Sequence, residues 1–208
     1  MLLSGVGSST VYVLLNAFVP LFYPGYSFRS QVVSELSAIG APTRPLWSAT
    51  CLAYTVLLVL FGWSVARTAV SRPTRVAGLA ILVQGLIGPF WPPMHQREVL
   101  AAGGGTLTDT LHIVFTAVWG LLAMVIMVVS ATALGRGFRV FTALCLVGLI
   151  VFGAMTGAES PNLQSNGPTP WIGVWERLNI GVFMLWTACY AISLARQIPE
   201  PGATRSQT

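Results

Sequence analysis

Charged residues are scarce in this 208-residue sequence, and lysine is absent. Only 8% of the residues are charged, whereas 54% are hydrophobic and the mean hydropathy is +0.74. Soluble domains carry about 25% charged residues, so this chain could not cover its apolar residues with a polar surface in water. The composition excludes a soluble globular domain and predicts an integral membrane protein.

The sequence also lacks a basic run. Its positive charges are all arginines, which lie singly or in small groups between apolar segments, although the net charge is +5. Binding to nucleic acid would require basic residues clustered on one face or along one helix. We therefore expect no nucleic-acid partner and treat the arginines as topology signals.

Cysteine spacing excludes two further classes of protein. The three cysteines, Cys51, Cys145 and Cys189, lie in apolar stretches and form no C-x-x-C motif. An odd number without that spacing argues against a disulfide framework or a zinc knuckle. We expect buried, unreactive thiols.

The sequence consists largely of long apolar segments. A membrane span needs about 20 mostly apolar residues, and the sequence offers six such segments. The first has no preceding positive charge and no small-residue cleavage site, so we expect an uncleaved helix rather than a signal peptide. The predicted fold is an all-α integral membrane protein, a six-transmembrane-helix bundle over 1–197 with a disordered polar tail over 198–208. The predicted spans are 6–23, 46–66, 76–92, 111–134, 140–156 and 178–195.

The distribution of arginine predicts the orientation in the membrane. With six spans, both termini share a side with the connections 67–75 and 135–139. That side carries seven arginines and the opposite side four, which favours cytoplasmic termini. The seven are Arg67, Arg72, Arg75, Arg136, Arg139, Arg196 and Arg205.

The opposite, outer side holds most of the ionisable groups that could perform chemistry. Five of the six acids and both histidines lie in or beside the connections 24–45, 93–110 and 157–177. These connections are long, whereas the cytoplasmic ones are short. We therefore expect any chemical site at the outer membrane face.

Four short motifs resemble a known family. They are "SQVVSELSAIG" (30–40), "GPFWPPMHQRE" (88–98), "TDTLHIVF" (108–115) and "WERLNIGVF" (175–183). In this order they resemble the bacterial membrane family called domain of unknown function 998, over residues 23–186. In that family an acidic residue closely follows "F-x-P", and here His95 or Glu98 would take its place. The resemblance implies the topology and supplies no activity.

Asp109 and His112 form the most suggestive pair, because residues three apart share one face of a helix. The carboxylate could orient the imidazole for proton transfer. Both could instead ligate a divalent metal, with His95, Glu35 or Glu176 completing the shell. The structural alternative is that Thr108 or Asp109 caps the helix.

Glu176 and Arg177 open the last span in a similar way. They could be an interfacial charge pair that fixes the depth of the helix. Alternatively, Glu176 is the second carboxylate of an acid/base site, with Asn179 on the same face. Polar residues that face the interior of a membrane bundle are functional by default.

Ser34 and Glu35 precede the second predicted span. Ser34 could act as a nucleophile with His112 as its base, but no G-x-S-x-G elbow surrounds it, and a cap or turn is the alternative. Glu35 is a further candidate for acid/base chemistry if its segment re-enters the bundle.

Aromatic residues near the span ends could wall a substrate pocket. The candidates for that pocket are Phe90, Trp91 and Trp175, together with Asn179 and Arg177. The alternative for the tryptophans is an interfacial aromatic belt.

These residues favour a membrane enzyme that binds membrane lipids and acts on a lipid or isoprenoid-like substrate. Acid/base chemistry could drive hydrolysis or isomerisation/cyclisation, and a divalent metal could assist although the sequence requires no cofactor. Two alternatives remain: a small transporter or proton-coupled permease, and a non-catalytic accessory subunit. The sequence does not decide the oligomeric state.

Overall fold

A computed structural model describes residues 1–197 of the chain. Within them, six helices are long and apolar enough to cross a membrane, which confirms the all-α six-span architecture. The predicted tail over 198–208, with Glu200 and Arg205, lies outside the described residues. The long helices are α1 (Ser4–Phe18), α2 (Arg44–Thr68), α3 (Arg72–Ile87), α5 (Leu107–Thr132), α6 (Arg136–Gln164) and α7 (Ile172–Ala195), and α4 (Arg97–Ala101) is a short helix between α3 and α5.

Three helices extend further toward the long connections than the sequence predicts. Helix α5 begins at Leu107 rather than 111, and α7 begins at Ile172 rather than 178. Helix α6 continues through Pro161 to Gln164, so Glu159 is helical rather than part of a connection. The predicted spans stopped at charged residues, whereas the helices continue through them: Asp109 in α5, Glu159 in α6, and Glu176 and Arg177 in α7.

The six long helices pack as a closed ring. Each contacts the next long helix along the chain, and α7 returns to contact α1. The centre is filled by large side chains such as Phe61, Met127, Trp186 and Tyr190, each fully buried. The indole Nε1 of Trp186 donates to Thr142 Oγ1 at 3.0 Å, which satisfies its polar atom inside the bundle.

Helices α2 and α3 form the closest pair, and glycine makes this possible. A methyl group on Gly62 would overlap the backbone of Leu82, and one on Gly78 would overlap the backbone of Ala66. Small residues let helix backbones approach in membranes, where van der Waals packing replaces the hydrophobic driving force.

The long connections meet at one end of the bundle, which we call the loop face; it comprises residues 23–43, 88–106 and 165–171. The first two connections are joined by a parallel β-bridge between Ile39 and His95, in which Ile39 N donates to Met94 O at 2.8 Å. The third joins them through side chains described below. The loop face thus brings together polar residues that are far apart in the sequence.

Candidate active site

His95 and Asp109 form an imidazole–carboxylate pair on the loop face. His95 Nδ1 lies 2.9 Å from Asp109 Oδ2, and the backbone N–H of His95 donates to Asp109 Oδ1 at 2.6 Å. The side chains are 17% and 13% exposed, so water or a substrate can reach the pair. Both carboxylate oxygens therefore fix His95, one through its ring and the other through its backbone.

The start of α5 places this carboxylate. Asp109 lies in the first turn of α5, and its Oδ2 also accepts the backbone N–H of Thr106 at 2.8 Å. This is the side-chain-to-backbone bond expected three residues into a helix. The cap is Thr106 rather than Thr108 or Asp109, but Asp109 stabilises the start of the helix from within its first turn and holds His95 with the same group.

The predicted contact between Asp109 and His112 is wrong: the histidine paired with Asp109 is His95. Asp109 turns back toward the helix start, whereas His112 turns toward the 88–92 segment, where its Nδ1 lies 2.7 Å from Pro92 O. The indole Nε1 of Trp91 is 3.1 Å from the same nitrogen. Since a ring nitrogen carries either a proton or a lone pair, Nδ1 can satisfy only one of these partners at a time.

The two aromatic residues predicted at the end of the third span lie in different environments. Trp91 packs edge-on against His112, Phe115 and Trp119, with ring centroids 5.3 to 6.0 Å away. Phe90 is 75% exposed. Trp91 therefore covers His112, and Phe90 offers an exposed apolar surface.

Glu35 forms a buried ion pair with Arg97, a residue that sequence reasoning did not select. Arg97 Nε and Nη2 donate to the two oxygens of Glu35, each at 2.8 Å. The Glu35 side chain is 3% exposed and that of Arg97 12%. The hydrogen bonds that Arg97 donates to Glu35 raise the pKa of Arg97 above its ordinary value, so the guanidinium stays charged. Both oxygens of Glu35 are bound to Arg97, which favours a structural role for Glu35 over acid/base chemistry.

Arg97 also joins the third connection to the other two. Its Nη1 donates to Thr169 Oγ1 at 3.0 Å, and its Nη2 donates to Ser30 O at 3.1 Å. Thr169 Oγ1 in turn donates to Ser30 O at 2.7 Å. One guanidinium therefore fixes all three parts of the loop face.

Glu176 and Arg177 bind different partners and, within residues 1–197, form no ion pair with each other. Glu176 Oε2 accepts the backbone N–H of Val33. Val33 belongs to the same segment as Glu35. The alternative that the two residues are interfacial charges that fix the depth of the helix stays a prediction. Glu176 remains a candidate second carboxylate, positioned beside the Glu35 segment.

Arg177 holds the first connection onto the start of α7. Its Nη1 donates to Phe28 O at 3.0 Å and to Gln31 O at 3.2 Å, and its Nη2 donates to the Tyr26 hydroxyl at 2.7 Å. That hydroxyl donates to Val32 O at 2.8 Å. Burial raises the pKa of Tyr26 above its ordinary value, so the phenol remains a donor over the physiological range.

The remaining predicted site residues are dispersed. Ser34 Oγ makes no hydrogen bond within residues 1–197, so no base there activates it, and the Ser34 carbonyl accepts from Ser37 Oγ at 3.1 Å. Asn179 Nδ2 donates to Leu149 O at 2.7 Å, which joins α7 to α6. Trp175 stacks on Phe152, with centroids 6.4 Å apart.

A metal site of the predicted kind does not form in the described part of the chain. No group of three or more histidine, cysteine, aspartate or glutamate side chains there could hold an ion. Of the proposed ligands, only His95 and Asp109 are in contact, and His112 binds Pro92. Two protein ligands are fewer than the three that catalytic zinc sites use.

A comparison with models of known protein families shows the family to which this chain belongs. The model described as "Protein of unknown function (DUF998)" matches residues 6–193. This match covers most of the chain, so the chain belongs to that family, and the resemblance noted in the sequence is confirmed. No curated protein and no solved structure matches the chain.

Proposed function

We propose that this DUF998 protein is a multi-pass membrane enzyme that uses His95 as general acid/base, oriented by Asp109, on a lipid or isoprenoid-like substrate. The observation that carries the proposal is the 2.9 Å contact between His95 Nδ1 and Asp109 Oδ2. Asp109 accepts a hydrogen bond from the Nδ1–H of His95. Nε2 therefore keeps the lone pair that can take a proton from a substrate or water.

The pair has the features that a proton-transfer site requires. Asp109 is fixed by Thr106 and by the His95 backbone, so it can hold one ring orientation and one tautomer. It also stabilises the imidazolium that forms when Nε2 accepts a proton. General acid/base catalysis of this kind contributes about 10²–10⁴-fold to a rate.

The surroundings support an amphiphilic substrate. Two large apolar residues close to the pair in the sequence, Phe90 and Leu107, are 75% and 71% exposed. We propose that an apolar chain of the substrate lies against them while its polar group reaches His95. Hydrolysis and isomerisation/cyclisation both need a proton acceptor and both remain proposals, with Glu176 as the candidate second acid.

We place the protein in the cell membrane with both termini cytoplasmic and the loop face outward. The end opposite the loop face carries six of the arginines in the described residues, next to the short connections between α2 and α3 and between α5 and α6. The positive-inside rule supports this orientation.

The proposal is tested by a search for turnover with purified protein. Wild type, His95→Gln and His112→Gln are reconstituted in liposomes of total membrane lipid extract, with isoprenoid alcohols and diphosphates added, and lipid species are followed by mass spectrometry. His112→Gln is the matched control, because it removes the histidine without a carboxylate partner. We expect one lipid class to be converted by wild type and His112→Gln but not by His95→Gln. Equal conversion by folded His95→Gln, or no conversion by wild type, would overturn the proposal.

A transporter or permease is the second candidate, and Gln84 favours it. This side chain lies in span α3 with 0% exposure, and its Oε1 and Nε2 have no partner within the described residues. Buried polar groups within membrane spans often mark transport paths. Proton flux in liposomes that is present with wild type and lost with Gln84→Leu would favour transport over catalysis.

A further inference from the structure

A groove on the loop face lies outside the His95–Asp109 pair and is used by none of the chemistry above. It is an open concavity of about 350 Å³ between the first connection and the start of α7. Its lining is apolar apart from two guanidinium groups. The lining residues are Phe28, Arg29, Trp171, Val174, Arg177 and Leu178.

We propose that this groove binds an anionic phospholipid, with the phosphate at Arg29 and an acyl chain along α7. The inference concerns binding alone and stands whether or not the protein is an enzyme. It follows from the charge of the groove, its depth in the membrane and the apolar surface below it.

Arg29 is held in place with its terminal nitrogens available. Its guanidinium carbon lies 3.8 Å from the centroid of the Trp171 ring, and its Nε donates to Pro170 O at 3.0 Å. Within residues 1–197, Nη1 and Nη2 of Arg29 have no hydrogen-bond partner. Stacking on an aromatic ring together with a free guanidinium edge suits the recognition of phosphate.

The positive charge of the groove is not balanced by an ion pair. Every hydrogen-bond partner of Arg177 is a carbonyl or a hydroxyl, and neither arginine has a carboxylate within ion-pair distance in the described residues. Two acids border the region: Glu159 Oε2 accepts the Trp171 N–H at 3.1 Å, and Glu176, which accepts the Val33 N–H, precedes Arg177 in the chain. Within residues 1–197 neither carboxylate lies within ion-pair distance of Arg29, so the exposed guanidinium edge of Arg29 is open to an anion.

The groove lies where lipid phosphates lie. Trp171 immediately precedes α7, a helix that crosses the membrane, so the guanidinium groups are at the boundary between the span and the loop face. A guanidinium group at this boundary can reach a lipid phosphate while the apolar part of its side chain stays against the bundle. Tryptophan is also enriched at this boundary.

Below the groove, α7 has an exposed apolar strip against which an acyl chain can pack. Leu178 and Leu185 are 41% and 55% exposed, and they share one helix face with Val174 and Gly181, since these residues are three or four positions apart. A methyl group on Gly181 would have no neighbour within 4 Å. The glycine therefore leaves a notch between two exposed leucines.

The test is a lipid titration followed by native mass spectrometry in a neutral detergent. Full-length wild type and Arg29→Gln are titrated with dioleoyl phosphatidylglycerol, with dioleoyl phosphatidylcholine and with inorganic phosphate. Arg67→Gln is the matched control, because Arg67 also stacks on a tryptophan, Trp63, at 5.5 Å, but at the other end of the bundle. We expect wild type to bind phosphatidylglycerol more tightly than phosphatidylcholine, and phosphate not to compete.

Arg29→Gln should weaken phosphatidylglycerol binding about fivefold, as loss of one basic residue near an anionic headgroup implies. Arg67→Gln should bind like wild type, and the unfolding temperature shows whether both variants are folded. Equal losses in the two variants would mean unspecific attraction and would overturn the proposal. So would equal affinity for the two lipids, or displacement of the lipid by inorganic phosphate. Glu159→Gln, which removes the bordering negative charge, should not weaken binding.

Discussion

Glu35 and Arg97, 62 residues apart in the chain, are joined by two parallel hydrogen bonds of 2.8 Å in a nearly dry environment. Two-point pairing of this kind fixes geometry as well as charge. Because Arg97 also binds Ser30 and Thr169, the pair connects the three segments of the loop face. The loop face therefore holds the His95–Asp109 pair in place, because His95 lies only two residues before Arg97 in the chain.

Glu35→Gln should lower the free energy of unfolding by about 3–5 kcal/mol, because it leaves the buried charge of Arg97 uncompensated. The measurement is chemical unfolding in detergent. Glu98→Gln, an exposed position on the same short helix α4, is the control and should change stability little. If the double variant Glu35→Gln/Arg97→Met is no more stable than Glu35→Gln alone, the loss does not come from an unpaired charge.

Tyr26 should make the loop face sensitive to alkaline pH. Burial raises the pKa of Tyr26 in the folded protein above that of the unfolded chain, which is about 10. The stabilisation from the neutral phenol is therefore complete below pH ~10 and is lost as the pH rises through the higher folded value.

Thermal unfolding of wild type and Tyr26→Phe between pH 7 and 11 tests this expectation. The variant should be less stable at pH 7, because it loses the hydroxyl contacts to Val32 and Arg177. Its stability should also fall less steeply above pH ~10. Parallel curves over the whole range would show that Tyr26 does not titrate as argued.

Gly78→Ala should separate α2 from α3, because the added methyl group meets the backbone of Ala66 rather than a flexible side chain. Overpacking of this kind costs about 1–3 kcal/mol. Gly120→Ala in α5 is the control, since a methyl group there meets nothing within 4 Å and alanine favours a helix. Equal stability of the two variants, measured by unfolding in detergent, would contradict the close packing described for α2 and α3.

Isotope incorporation should distinguish the two reaction types left open for the proposed enzyme. If the substrate found by mass spectrometry is hydrolysed, a reaction in H₂¹⁸O places ¹⁸O in the product. If it is isomerised or cyclised through proton transfer at carbon, a reaction in D₂O places deuterium on carbon. A product that acquires neither label would contradict hydrolysis and any transfer to carbon of a proton that exchanges with solvent.

The fold was largely predictable from the sequence, because scarce charge and long apolar segments leave few alternatives to six membrane-spanning helices. The helix ends were not, as the start of α7 at Ile172 shows, since the predicted span began only after the charged residues Glu176 and Arg177. The five-residue α4 was missed because so short a helix shows no helical periodicity.

His95 and Asp109 were both candidates from the sequence, His95 as a metal ligand and Asp109 as an acid/base group, but their pairing was not predicted. Spacing on α5 made His112 the natural partner of Asp109, yet the carboxylate turns toward the helix start and binds His95 from another connection. Such contacts depend on how the connections fold over one another. Charge balance could have indicated Arg97 as the partner of Glu35. A buried carboxylate needs a cation, and the loop face has few cations.

The most direct test of the central claim is a double-mutant cycle on turnover of the identified lipid by wild type, His95→Gln, Asp109→Asn and the double variant. If Asp109 acts through His95, each single variant should lose about 10²–10⁴-fold in rate, and the double variant should be no slower than His95→Gln. Losses that multiply in the double variant would show that the two residues act independently. Full turnover by folded His95→Gln would contradict the claim outright.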